Sequence, residues 1–142
     1  MDEAKKSRLP LVTVLIVVVV SAFSYSFARQ FFNRAPDVDR ALVELSSELN
    51  KRMPIVVDKE TRLDSTAPSP SKTLSYQYTL VNFDGVKVEE KELAEIRTRA
   101  QANYQTNPAM KSLREMGVTL RYRYKNKSGA FVGEFSLTPK DF

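Results

Sequence analysis

The sequence predicts an α+β domain carried behind an N-terminal membrane-spanning helix. Three observations lead there. Residues 9–28 contain no charged side chain. Val38, Leu42, Leu45 and Leu49 recur at helical spacing. Residues 73–80 and 118–124 alternate apolar and polar side chains, the period of a strand with one buried face.

The uncharged run meets the length of about 20 residues that a helix needs to cross roughly 30 Å of hydrocarbon. Its centre is Val, Leu and Ile, and in a bilayer only a helix satisfies each backbone group of a single segment internally. Tyr25, Phe27, Phe31 and Phe32 gather at its far end, where aromatic rings favour the membrane interface, and Arg29 and Arg34 close it. The alternative is a cleaved secretory signal, with Lys5, Lys6 and Arg8 as the basic region and Ser26-Phe27-Ala28 as the cleavage site. The run is longer than the apolar region of about 7–15 residues usual in such signals, which favours a retained anchor. Basic residues stand on both sides of the span, so charge alone does not orient it. A short tip before a single span favours residues 1–8 in the cytoplasm and the domain outside. The resulting division is a tip at 1–8, a span at 9–28, a connector at 29–35 and a domain at 36–142.

Within the domain, a helix is expected from Pro36 to about Arg52, with Asp37 and Asp39 at its positive end, Lys51 and Arg52 at its negative end, and Pro54 stopping it. Residues 55–63 read as a strand, although Lys59 interrupts the apolar side. Residues 64–72, DSTAPSPSK, have the chemistry of a loop. In the next strand, residues 73–83, Leu74, Tyr76, Tyr78 and Leu80 share one face and Ser75, Gln77 and Thr79 the other. A second helix spans about 89–104, with Leu93, Ile96, Ala100 and Tyr104 inward. Asn107-Pro108 is a cap followed by proline at the first position of a short third helix, which Gly117 ends. A hairpin closes the chain, with strands at 118–124 and 131–138. Centring its turn on Lys127-Ser128 pairs Arg121 with Glu134, Leu120 with Phe135 and Val118 with Leu137. The element order is α-β-β-α-α-β-β, giving a four-stranded, mostly antiparallel sheet with helices on one face.

Composition narrows the chemistry. The chain carries a formal charge of +5, of which +3 falls in residues 1–35 and +2 in the remainder. The excess therefore hugs the membrane, where anionic headgroups attract it, and the nearly neutral domain argues against nucleic acid. There is no cysteine and no histidine, which removes disulfides, thiolates and the commonest general base and metal ligand. Asp58, Glu60 and Asp64 are spaced to share a strand face, but Lys59 and Arg62 compete for them and no glycine makes the sharp turn of a calcium loop. The hydroxyls of Ser65, Thr66, Ser69, Ser71 and Ser75 have no identifiable base. No phosphate loop or nucleophile elbow is present. These absences argue against an enzyme and imply no cofactor.

Three runs, LNKRMPIVVDKETRLDS (49–65), SYQYTLVN (75–82) and TNPAMKSLREMGVTLRYRYKNKSG (106–129), resemble a group of small bacterial envelope proteins without an assigned activity. Pro54, Val57-Asp58 and Thr61-Arg62-Leu63-Asp64 are the most distinctive part. The resemblance covers about residues 40–142 and implies one α+β domain behind a signal or anchor, hence a bacterial inner-membrane protein with its domain in the periplasm. Members often carry cysteines before the Thr-Asn-Pro segment and near the C-terminus; here those regions hold Tyr104-Gln105 and Phe142, so a disulfide joining them is absent.

The expected role is that of a single-pass anchored accessory or interaction protein that binds another envelope protein or its own copies. The alternative is a secreted or periplasmic binding module for a small ligand or envelope polymer, released near Ala28. The candidate binding residues are Arg121, Arg123, Lys125 and Glu134 on the sheet face away from the helices. Rows of like charge repel unless complemented, and Glu134 is the one cross-strand acid in reach. Such a face suits an acidic partner or anionic headgroups.

Overall fold

The computed structural model describes residues 29–31, 33 and 37–141. Among them no helix is long and apolar enough to cross a membrane, and the expected span at 9–28 lies outside them. Within the expected connector, residues 29–31 and 33 are helical, and half-buried Phe31 packs against the core.

Helix α1, Val38–Asn50, starts where Asp37 accepts a 2.8 Å hydrogen bond from the Arg40 amide, an N-cap that satisfies one of the helix's open donors. The helix ends two residues earlier than its charge pattern suggests, because Lys51 is itself the C-cap. Leu42, Leu45 and Leu49 are buried, each contributing about 1.5–3 kcal/mol of burial. Ser46 lies on the same face and meets Thr66 at 2.8 Å, so this buried polar pair is mutually satisfied.

The sheet has five strands in the order β1-β2-β3-β4-β5: β1 Ile55–Val56, β2 Thr61–Ser69, β3 Thr73–Leu80, β4 Thr119–Lys125 and β5 Phe131–Leu137. Neighbours are antiparallel except β3 and β4, which run parallel across the crossover made by α2, Glu90–Thr106, a 3-10 turn, Pro108–Met110, and α3, Lys111–Glu115. Asn107 caps the 3-10 turn through Ala109, and Gly117 takes the left-handed conformation after α3, as their residue types predict.

Three expectations are corrected. Four strands become five because the expected strand at 55–63 folds back on itself. Val57 and Asp58 both donate to the Thr61 carbonyl, and Asp58 accepts from the Glu60 amide, so residues 57–60 form a turn. The expected loop at 64–72 is mostly strand β2. Pro68 is tolerated there because β1 pairs with β2 only as far as Leu63, leaving that side an open edge that needs no proline N–H. The Asn50 side chain fills part of this edge, donating to the Thr66 carbonyl at 2.9 Å and accepting from its amide at 2.7 Å. Third, the β4–β5 register is shifted by two residues: Leu120 faces Leu137, Tyr122 faces Phe135, and Arg123, not Arg121, faces Glu134. Val132 is skipped as a bulge between Lys125–Phe131 and Tyr124–Gly133. Asn126 shapes the loop by accepting from the amides of Ser128 and Ala130 and donating to the Gly85 carbonyl.

Both long helices cover the face that carries Leu74, Tyr76, Tyr78 and Leu80. α1 lies over β2 and β3, and Leu93 of α2 approaches Gly133 of β5. Tyr76, Tyr78, Tyr122 and Tyr124 form an aromatic layer beneath them, with Tyr78 and Tyr124 stacked at 5.2 Å and Tyr122 on Phe135 at 4.8 Å.

Candidate functional site

The face away from the helices is built by β4. Its strict alternation sends Leu120, Tyr122 and Tyr124 into the core and Arg121, Arg123 and Lys125 outward, at about 6.6 Å intervals for two residues of strand. On β3 the residues in register are short or uncharged: Ser75 beside Arg121, Gln77 beside Arg123 and Thr79 beside Lys125. β3 thus adds no countercharge to the row.

The four expected residues do lie on this one face, but they differ in what they meet. Arg123 faces Glu134, with Nε 3.0 Å from the carboxylate in an ion pair too oblique for a hydrogen bond. Its guanidinium also lies 5.2 Å from the centre of the Phe131 ring. Both partners of the ion pair are more than two-fifths exposed, so the pair adds little stability. Arg121 faces Ser136, and Lys125 faces Phe131. Among the described residues neither Arg121 nor Lys125 has an ion-pair partner.

Four residues of this face, Asp64, Arg62, Phe131 and Val56, were not expected. A bulge at Asp64 between Leu63–Tyr78 and Ser65–Gln77 accompanies a carboxylate that meets Arg62 Nε and accepts from the Thr79 hydroxyl. The bulge at Val132 leaves Phe131, 51 % exposed, under Arg123. The sequence held one signal for the first: Arg62 and Asp64 stand two apart, on one face if the strand continues past Leu63. Val56 on β1, opposite Arg62, is 74 % exposed and extends the apolar content of the face.

Asp58, Glu60 and Asp64 are not brought together. Asp58 shapes its own turn, Glu60 accepts from Asn82 at 3.0 Å, and Asp64 is engaged with Arg62 and Thr79. Among the described residues no group of three acidic side chains is placed to hold a metal. Of the hydroxyls considered, Thr66 bonds Ser46 and Asn50.

Beneath the sheet the electrostatics differ. Burial pushes the hydroxyls of Tyr76, Tyr78, Tyr104, Tyr122 and Tyr124 well above the usual tyrosine range, because a phenolate there would lose its hydration. Tyr104 donates to the Val118 carbonyl at 2.6 Å, whereas the hydroxyls of Tyr78, Tyr122 and Tyr124 have no hydrogen-bond partner among the described residues.

Three solved structures share this fold. The pilotin EpsS of the Vibrio vulnificus type 2 secretion system superposes with a TM-score of 0.58 at 13% identity, covering 72% of this chain and 89% of that one. The type II secretion system pilotin AspS of Vibrio cholerae gives 0.56 at 14% identity, covering 74% and 92%. A Pseudomonas aeruginosa protein described as secreted gives 0.57 at 12% identity, covering 70% and 88%. At these identities the likeness is one of fold. No curated protein sequence matches the chain. Residues 38–131 match the family model described as a domain of unknown function, DUF8479, and the chain belongs to that family.

Proposed function

We propose that the protein is a membrane-anchored interaction protein of the bacterial envelope, held in the inner membrane by residues 9–28, whose periplasmic domain presents its open sheet face to an acidic segment of another envelope protein. The carrying observation is the pair of cations, Arg121 and Lys125, without countercharge among the described residues, on a face that also exposes Phe131 and Val56. Exposed apolar side chains supply contact area, and uncompensated charge supplies steering and selectivity for an acidic partner. The shared fold of two type II secretion pilotins supports a role beside an envelope secretion assembly. The length of the uncharged run supports the anchor.

The test is site-specific crosslinking from position 123 in intact cells, followed by capture of the full chain from membranes. Arg121→Glu with Lys125→Glu is expected to remove the crosslinked partner without changing the amount of protein in the membrane fraction. Crosslinking that is indifferent to both the double substitution and raised salt excludes this face as the interface.

A further inference from the structure

We propose, resting on the anchored reading above, that the end of the domain formed by residues 29–31 and 33, the first turn of α1 and the tip of the β2–β3 hairpin is seated against the lipid headgroups. The uncharged run ends at residue 28, and Phe31, three residues on, already packs against the core. Three residues span at most about 11 Å, so the domain has no long tether. From residue 33 to Asp37, the N-cap of α1, is at most about 14 Å, which puts the start of α1 near the exit of the anchor. The hairpin tip is fixed to the same place: Asp39 accepts from the Lys72 amide at 2.7 Å, and the Lys72 carbonyl accepts from Thr119 at 2.8 Å. These bonds hold Ser71 and Lys72 in left-handed conformations (φ 67° and 57°) that such residues rarely adopt.

The chemistry of this end suits an anionic bilayer surface. An open groove of about 340 Å³ lies between α1 and the hairpin, lined by Val43, Pro68 and Pro70 with Asp39, Arg40 and Ser69. Val43 is 54 % exposed. The two nearest acids, Asp37 and Asp39, are exposed and accept from the Arg40 and Lys72 amides, and the exposed side chains of Arg29, Arg40 and Lys72 outnumber them. Apolar surface framed by cations is what the interface of an anionic leaflet attracts.

The sequence contains no tryptophan, so single-tryptophan variants report one position each. The full chains of Val43→Trp, Pro70→Trp and Val86→Trp are reconstituted in vesicles of anionic phospholipid carrying bromine near the headgroup. Val86 is 89 % exposed in the loop after β3, at the other end of the sheet. Positions 43 and 70 are expected to lose emission to the brominated lipid, and position 86 to keep it. Vesicle-bound protein in which position 86 is quenched equally, or no position is quenched, overturns the proposal alone. Shielding of 43 and 70 from an aqueous quencher without lipid quenching points to a protein occupant and also overturns it. Protein that does not co-sediment with vesicles removes the anchored reading, and this proposal with it.

Discussion

Tyr124→Phe is expected to stabilise the domain, and Tyr104→Phe to destabilise it. Both tyrosines are buried, at 1 % and 0 % exposure, and both substitutions remove one oxygen without changing the ring. They differ in what that oxygen meets. The Tyr104 hydroxyl donates to the Val118 carbonyl at 2.6 Å. Its removal deletes a bond with a net worth of about 0.5–1.5 kcal/mol, and more where the buried acceptor is left bare. The Tyr124 hydroxyl has no partner among the described residues, so the wild-type protein already carries the cost of an unmet polar group, about 1–3 kcal/mol, and phenylalanine relieves it. For a domain of this size 1 kcal/mol moves Tm by roughly 4–8 °C. Melting residues 35–142 by circular dichroism is expected to show Tm rising for Tyr124→Phe and falling for Tyr104→Phe. A fall of similar size in both would refute the reasoning, because it would mean that an enclosed water serves the Tyr124 hydroxyl.

Two further outcomes follow from the core. Leu45→Ala, at a position 3 % exposed in the centre of the α1 stripe, is expected to cost about 2–5 kcal/mol in urea unfolding, and a loss under about 0.5 kcal/mol would show that α1 is not packed on β2 and β3. Residues 35–142 contain five tyrosines, and burial raises all five above their ordinary range. Unfolded chains release these protons near pH 10, so the stability the tyrosines contribute is complete below about pH 10 and falls as pH rises above it. Tyrosinate absorbance is expected to appear together with loss of structure, and absorbance growing near pH 10 in a folded domain would contradict the burial.

The elements legible in the sequence are those whose pattern and packing agree. The α1 leucines and the β3 tyrosines are buried where their spacing puts them, and Asn107 caps the turn that Pro108 opens. Residues 64–69 were not legible. The local chemistry of Pro68 and its flanking serines favours a turn, and only the open edge of β2 and the side chain of Asn50 make a strand tolerable there. The turn at 57–60 left a trace, since Lys59 breaks the alternation.

The candidate site was legible in part, for a reason that lies in the period of a strand. A register error of two residues keeps every side chain on its face, so Arg121, Arg123, Lys125 and Glu134 fall together even when Glu134 is assigned to the wrong arginine. Which cations stay uncompensated depends on the register, and the bulges settle what else joins them. The bulge at Val132 puts Phe131 under Arg123, and Asp64, at the other bulge, meets Arg62. The face therefore neutralises itself at β2 and at its middle, and leaves Arg121 and Lys125 about 13 Å apart on either side of a guanidinium already engaged by Phe131 and Glu134. A single acidic side chain cannot satisfy both. The complement of the proposed interface is a segment with acids at matching separation, and moving Glu134 opposite Arg121, by exchanging Glu134 with Ser136, is expected to shift the uncompensated charge to Arg123 and weaken such a segment's binding without altering the domain's net charge. Unchanged binding after that exchange would mean that net charge, and not its placement on this face, selects the partner.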